Sequence, residues 1–206
     1  MFENREQAGM LLALEIEKRL KERDFVVVAV LRGGIVLGKV IADYFEAPLA
    51  PLVIRKIGAP MEKELAIGAV GPKRTIYWEK DLLERLRVDN RYKRIGAKEK
   101  TSELEEIEGK IKDKKIIDFA DKKTIVVDDG VATGTTVICA QKFLKKEKAK
   151  SIILAVPVIA EDSFDSVSKY FDRIITLNKV RNFYAVGQFY KDFPQISNKE
   201  VLKILN

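Results

Sequence analysis

Thr124-Ile125-Val126-Val127-Asp128-Asp129-Gly130-Val131-Ala132-Thr133-Gly134-Thr135-Thr136 is the stretch on which the fold turns. Four β-branched residues make a strand-sized run, two carboxylates follow, and a Gly/Thr-rich turn opens a predicted helix over Thr135 to Lys146. A helix N-terminus presents free N–H groups and the positive end of the helix dipole, which together suit a phosphate. Gly134 lets the backbone approach such a group closely, and the hydroxyls of Thr133, Thr135 and Thr136 add donors. Asp128 and Asp129 can accept hydrogen bonds from neighbouring sugar hydroxyls. Adjacent carboxylates are unfavourable unless donors or a cation compensate, and a sugar diphosphate chelating magnesium offers both. A Walker A loop is excluded because no Gly-Lys-Ser/Thr is present, and Gly33, Gly34 and Gly38 lack the dinucleotide GxGxxG spacing.

Working outward, strands and helices alternate. Ala8 to Lys21 carries Leu12, Ile16 and Leu20 at helical spacing, and Phe25 to Val30 reads as a strand covered on both faces. Gly33-Gly34 breaks that run, Ile35 to Phe45 is a second helix, and Leu52 to Ile54 is a strand ending in Arg55-Lys56. Leu65 to Val70 and Thr75 to Trp78 form short strands around Gly71-Pro72. Glu79 to Lys115 is charge-dense, with only a weak helical stripe at Leu104, Ile107 and Ile111, and is expected to leave the main sheet. Beyond the opening stretch come a strand at Ser151 to Val156, a helix at Ser163 to Phe171 and a strand at Ile174 to Leu177. An aromatic segment, Phe183 to Phe193, and a short helix at Lys199 to Leu205 complete the chain. Such alternation predicts an α/β fold with a doubly wound parallel sheet, whose ligands bind beyond the carboxyl ends of the strands. The loops after Val30, Ile54 and Val127 then share one edge.

The 206 residues suit one domain. They include no histidine, so imidazole bases, Ser-His triads and His-ligated metals are excluded. The single cysteine, Cys139, lies in an apolar helical stretch and reads as a core thiol. Any metal must be held by oxygen, which points to magnesium. The net charge of +7 admits nucleic acid, anionic surfaces or phosphate-rich small molecules. Its lysine clusters lack the interleaved aromatics of a single-strand binder and read as solvated faces, so a nucleic-acid partner is not expected. No apolar run reaches the roughly 18–20 residues of a membrane span, and the N-terminus lacks the order of a signal peptide, so a cytoplasmic location is expected.

Val126 to Thr136 closely resembles the phosphoribosyl pyrophosphate motif of the type I phosphoribosyltransferase family. The resemblance implies that Asp128 and Asp129 contact the ribose hydroxyls, that Gly130 through Thr136 (Gly130, Val131, Ala132, Thr133, Gly134, Thr135, Thr136) build the donor loop, and that Val131 to Thr136 cradle the 5-phosphate. It extends over nearly the whole chain. Leu31-Arg32-Gly33-Gly34 looks like the pyrophosphate loop, whose first pair often has a strained peptide bond in relatives, and Lys56 stands where relatives place a basic residue on the pyrophosphate. The segments Arg55 to Pro60, Glu64 to Val70 and Phe183 to Phe193 resemble a little-characterised group of predicted phosphoribosyltransferases.

What the resemblance implies is displacement of pyrophosphate from phosphoribosyl pyrophosphate by a ring nitrogen of a small heterocyclic acceptor, with Mg2+ as cofactor and in an assembly that admits a homodimer. Arg32, Lys56, Asp128 and Asp129 are the expected catalytic residues. Residues 68–101 are expected to be a mobile lid that excludes water, and residues 178–206 a small C-terminal hood over the acceptor. In the hood, Phe183 or Tyr184 could stack on a flat base, although an aromatic segment can equally be core. Ala132 stands where 6-oxopurine enzymes place an acid, and Lys191 falls where their hood acid lies, so the base is left open with a purine as first candidate. The alternatives are a donor-sensing regulatory protein that binds nucleic acid on the same fold, and an inactive scaffold.

Overall fold

Each uninterrupted apolar run needs cover on both faces, and that requirement builds the sheet. The structure is a computed structural model describing residues 1–111 and 117–205. Its first half comprises α1 (Arg5–Arg19), β1 (Val26–Leu31), α2 (Gly34–Phe45), β2 (Leu49–Val53), β3 (Arg55–Gly58), β4 (Ala66–Gly71) and β5 (Thr75–Trp78). There follow α3 (Lys80–Arg85), α4 (Asn90–Lys110), β6 (Lys123–Val127), α5 (Thr135–Lys146), β7 (Ser151–Ala160), α6 (Glu161–Ser168), β8 (Arg173–Val180), a 3₁₀ turn (Val186–Phe189) and α7 (Asn198–Leu205).

The main sheet has five parallel strands in the order β2-β1-β6-β7-β8. Alternate side chains go to opposite faces. Val27, Ile125, Val127 and Ile153 pack with Leu12, Ile16 and Ile41 of α1 and α2, while Val28, Val30, Val126 and Leu154 pack with Val137, Ile138 and Leu144 of α5. The chain winds outward in one direction from β1 to β2 and in the other from β6 to β8, so the order reverses between β1 and β6. That reversal opens a crevice at the carboxyl edge, where doubly wound sheets bind ligands.

Several boundaries differ from expectation, each for a physical reason. The strand expected at Leu52 to Ile54 is β2, starting at Leu49, and Pro51 is tolerated because β2 lies at the sheet edge. Arg55-Lys56 does not close that strand; it begins β3 of a separate antiparallel sheet, β3-β4-β5. β7 runs on through Pro157 to Ala160, because β8 and the bridge Val131–Ile159 supply partners beyond β6. The expected lid is not of one kind. Residues 68–78 are hairpin, with Ala69 and Tyr77 buried beside α5 and Val70 buried on the other face with Ile57 and Leu104, whereas residues 80–85 and 90–101 lie in α3 and α4. Leu104 and Ile107 of the weak stripe belong to a 21-residue helix, α4, which Ile111 caps, and Leu104 is buried with Ile57 and Ile67. The end of the charge-dense stretch, 112–115, and the last residue of the hood lie outside the described residues.

Candidate active site

The crevice holds a cleft of about 610 Å³. Leu31, Arg32, Gly33, Lys56 and the turn from Asp128 to Gly134 with Thr136 all line it. A second cleft of about 310 Å³, around Leu20, Phe25 and Ile153 at the opposite sheet edge, contains none of the predicted residues.

The phosphate nest is built by backbone. Gly134 precedes α5 with φ 81°, a left-handed conformation that side-chain-bearing residues resist. That turn brings the start of α5, whose first N–H groups have no helical partners, to the cleft wall. The hydroxyls of Thr133 and Thr135 lie 3.0 Å apart. Ahead of the turn, Val131 is tied to β7: its N–H donates to Val158 (2.9 Å) and its carbonyl accepts from Ala160 (2.9 Å). The loop is therefore held at both ends.

Asp128 and Asp129 stand side by side at the mouth of β6, with the Asp129 N–H donating to Asp128 Oδ1 (2.9 Å). Burial, then the negative charge of Asp129, pushes the Asp128 carboxyl well above the usual carboxylate range, and Lys56 pulls against that. Burial also raises Asp129, with Arg5 and Lys56 opposing it. A pair raised in this way favours a ligand that brings hydroxyl donors and a cation. Across the cleft, Arg55 is committed to Glu103 of α4, with Nη2–Oε2 at 2.8 Å. Arg32 and Lys56 have no ion-pair partner among the described residues, so both charges are available to an anion. The Leu31–Arg32 peptide is cis. Gly33 faces Asp129 so closely that an added Cβ would lie 1.8 Å from Asp129 Oδ2.

Other predicted residues are placed elsewhere: Gly34 and Thr135 are buried behind the cleft lining. Phe183 turns inward onto Phe189, ring centroids 4.9 Å apart, and Tyr184 is 87% exposed. Neither lines the cleft; from the hood, Val186 and Gln195 do. Sequence reasoning also missed Arg5, the buried partner of Asp129, and the α4 residues Lys100 and Glu103 on the cleft wall. An arginine in the first turn of a helix was one available signal, since a cation there opposes the helix dipole.

No helix among the described residues is long and apolar enough to cross a membrane. The TT1426 protein of Thermus thermophilus, known from a crystal structure, superposes with a TM-score of 0.82 at 28% identity, over 99% of this chain and 97% of that one. The AQ2163 protein of Aquifex aeolicus shares the fold, with a TM-score of 0.54 at 13% identity over 86% of this chain and 77% of its own. A protein of Mycobacterium tuberculosis (strain H37Rv), provisionally named a phosphoribosyl transferase, is 30% identical over 207 residues, 100% of this chain and 46% of its own length. The chain thus spans about half the length of the curated relatives it matches. The family model of the phosphoribosyl transferase domain matches residues 2–194, a span that takes in the nest, the paired acids and the Arg-Gly-Gly turn, and the chain belongs to that family.

Proposed function

We propose that this chain transfers the 5-phosphoribosyl group of phosphoribosyl pyrophosphate to a ring nitrogen of a small heterocyclic base. One observation carries the reading: a phosphate nest, a pair of raised carboxylates and two uncommitted cations share one cleft. In the reaction the nitrogen lone pair forms the bond to the anomeric carbon as the bond to pyrophosphate breaks, its electron pair leaving on the pyrophosphate oxygen. The N–H proton of the base passes to solvent water. The nest, Thr133 and Thr136 hold the 5-phosphate, with the buried Thr135 hydroxyl set against that of Thr133. Asp128 and Asp129 accept from the ribose hydroxyls, and Arg32, Lys56 and the Gly33 backbone take the departing diphosphate. Catalysis then comes from orientation and from charge stabilisation where the diphosphate leaves.

Magnesium suits this donor set, which is all oxygen. In this reading the ion comes held mainly by the donor, with Asp128 and Asp129 beside it. Bound there, it would neutralise the diphosphate. For the acceptor, a purine remains the first candidate, and Val186 and Gln195 replace Phe183 and Tyr184 as its contacts, because they face the cleft. The lid is proposed for residues 79–101 and not for 68–78, since α3 has no buried residue and the hairpin is packed on α5. A cytoplasmic setting is part of the same reading.

The test is calorimetric titration of phosphoribosyl pyrophosphate with magnesium into the parent and the Asp128→Asn/Asp129→Asn variant. Affinity should fall about tenfold or more, roughly 1.4 kcal/mol. Unchanged affinity in a folded double variant would remove the donor site from this cleft. Screening heterocyclic bases for donor-dependent pyrophosphate release then identifies the acceptor.

A further inference from the structure

Arg5 is 6% exposed, and its guanidinium is used on every side. Nε donates to Asp129 Oδ2 at 3.0 Å, and Nη2 stands 3.0 Å from the same oxygen. Nη1 donates to the carbonyl of Pro194 in the hood at 2.8 Å, and the guanidinium lies 3.6 Å from the centroid of the Phe193 ring. Three parts of the chain, remote in sequence, thus meet on one side chain: the start of α1, the acid at the mouth of β6 and the hood. Tyr190 fixes the same acid from the hood, its hydroxyl donating to the Asp129 carbonyl at 2.7 Å. The hood is in turn stitched to the residues before α1: Phe2 N–H donates to Phe189 (2.7 Å), Lys191 N–H to Phe2 (2.8 Å) and Asp192 N–H to Glu3 (2.9 Å).

A buried cation at a helix start is costly in itself, because it is desolvated and faces the positive end of the dipole. One charge-assisted hydrogen bond from Nε and a close ion-pair contact from Nη2, both to Oδ2, offset that cost and fix the position of that oxygen, which a flexible lysine does less well. Gly33 leaves the space that the locked carboxylate occupies.

We infer that Arg5 is a positioning residue for the donor: it holds the Asp129 carboxylate in the orientation that receives the ribose, and through Pro194 and Phe193 it ties the hood to that orientation. The inference rests on the reading of Asp129 as a ribose contact. It makes the N-terminal turn part of the binding site without touching the ligand, and it gives the acceptor side of the cleft a mechanical connection to the donor side.

A double-mutant cycle separates positioning from general support, because residues that act through one another are not additive. Arg5→Gln, Asp129→Asn and the double variant are each titrated with phosphoribosyl pyrophosphate and magnesium, with circular dichroism to verify folding. Arg5→Gln is expected to weaken donor binding by about tenfold in the parent and by less than about twofold in the Asp129→Asn background. Arg5→Lys, which keeps the charge and loses the fork, should fall between parent and Arg5→Gln, and it carries the cycle alone if the glutamine variant does not fold. Equal losses in both backgrounds, or parent-like affinity in Arg5→Gln while Asp129→Asn weakens binding, overturns the positioning role and leaves the donor site standing. Parent-like affinity in Asp129→Asn itself overturns the donor-site reading at this acid, and the inference with it.

Discussion

The donor loop over Asp128 to Thr136 and the hood beyond Val180 border the same cleft, but they present their groups to it in different ways. In the loop, the groups are contiguous in sequence and mostly belong to the backbone: a strand end, a left-handed glycine and the first turn of α5. In the hood, the facing groups are Val186 and Gln195, placed by how Phe183 packs on Phe189 and how Tyr190 stacks on Phe193, centroids 4.8 Å apart. A backbone-built site has its geometry written locally. A site lined by side chains from a packed aromatic segment has its geometry set by whatever that segment packs against.

The largest expected effect tests the backbone side of this contrast. In Gly33→Ala the new methyl would fall 1.8 Å from Asp129 Oδ2 and 2.6 Å from its Cγ. The acid must move, and overpacking of this kind costs about 1–3 kcal/mol. Donor affinity is expected to fall by about a hundredfold in calorimetry, with the main sheet intact by circular dichroism. Parent-like affinity would mean that Asp129 can shift without consequence and that the donor site is not backbone-built.

The contrast also explains what could be read from sequence. The β-branched runs, Gly33-Gly34 and the Asp128 to Thr136 pattern identified the sheet, the crevice and the nest, because each is a local statement about burial or backbone freedom. Arg5 could be noticed, as a cation in the first turn of α1, but its role could not be read, because its partner lies 124 positions away. α4 was obscured because a long helix packed along one side needs few apolar residues, and Leu104 is its only fully buried side chain. Phe183 and Tyr184 misled because aromatic character signals burial or stacking without saying which, and here one is packed inward and the other projects to solvent.

A smaller effect is expected from the charge of the loop. Burial and Asp129 raise the Asp128 carboxyl, so between the ordinary carboxylate range and the raised value the folded chain holds a proton that the unfolded chain has released. Stability of the free protein is then greatest below that window and is lost as pH rises through it. Asparagine carries no charge at any pH. Asp128→Asn should therefore melt about 2–4 °C above the parent at pH 8, with the gap closing toward pH 4, in thermal melts by circular dichroism. A gap that is constant with pH would show that the charge is not what strains the loop.

The helical flank offers a test by order rather than energy. Residues 79–101 bury little, and a segment with few buried contacts opens readily. Hydrogen exchange there should slow when donor, magnesium and a base analogue are added together, while exchange in 68–78 stays as it was. Equal slowing in both stretches would make the hairpin and the helices one unit. No change in either would make α3 and α4 fixed walls of the cleft.

The smallest effect is expected at Tyr184, and it bears most directly on the hood. Its ring is 87% exposed, and its N–H is held by Gln188 Oε1 at 2.8 Å, so the backbone there is set by the neighbouring turn and not by the ring. Val186, two residues on, faces the cleft and packs where a side chain on Gly130 would go. If the side chains that face the cleft are those that read the base, Tyr184→Ala should leave both donor affinity and acceptor KM within about twofold of the parent. Val186→Ala, which opens space beside the base position, should raise acceptor KM several-fold with kcat little changed, as expected for a contact made equally in ground and transition states. The reverse ranking, with Tyr184→Ala raising KM more than Val186→Ala, would mean that the hood re-packs on binding and swings an aromatic over the base. In that case the contrast between loop and hood would be one of mobility, not of the number of residues between the groups that matter.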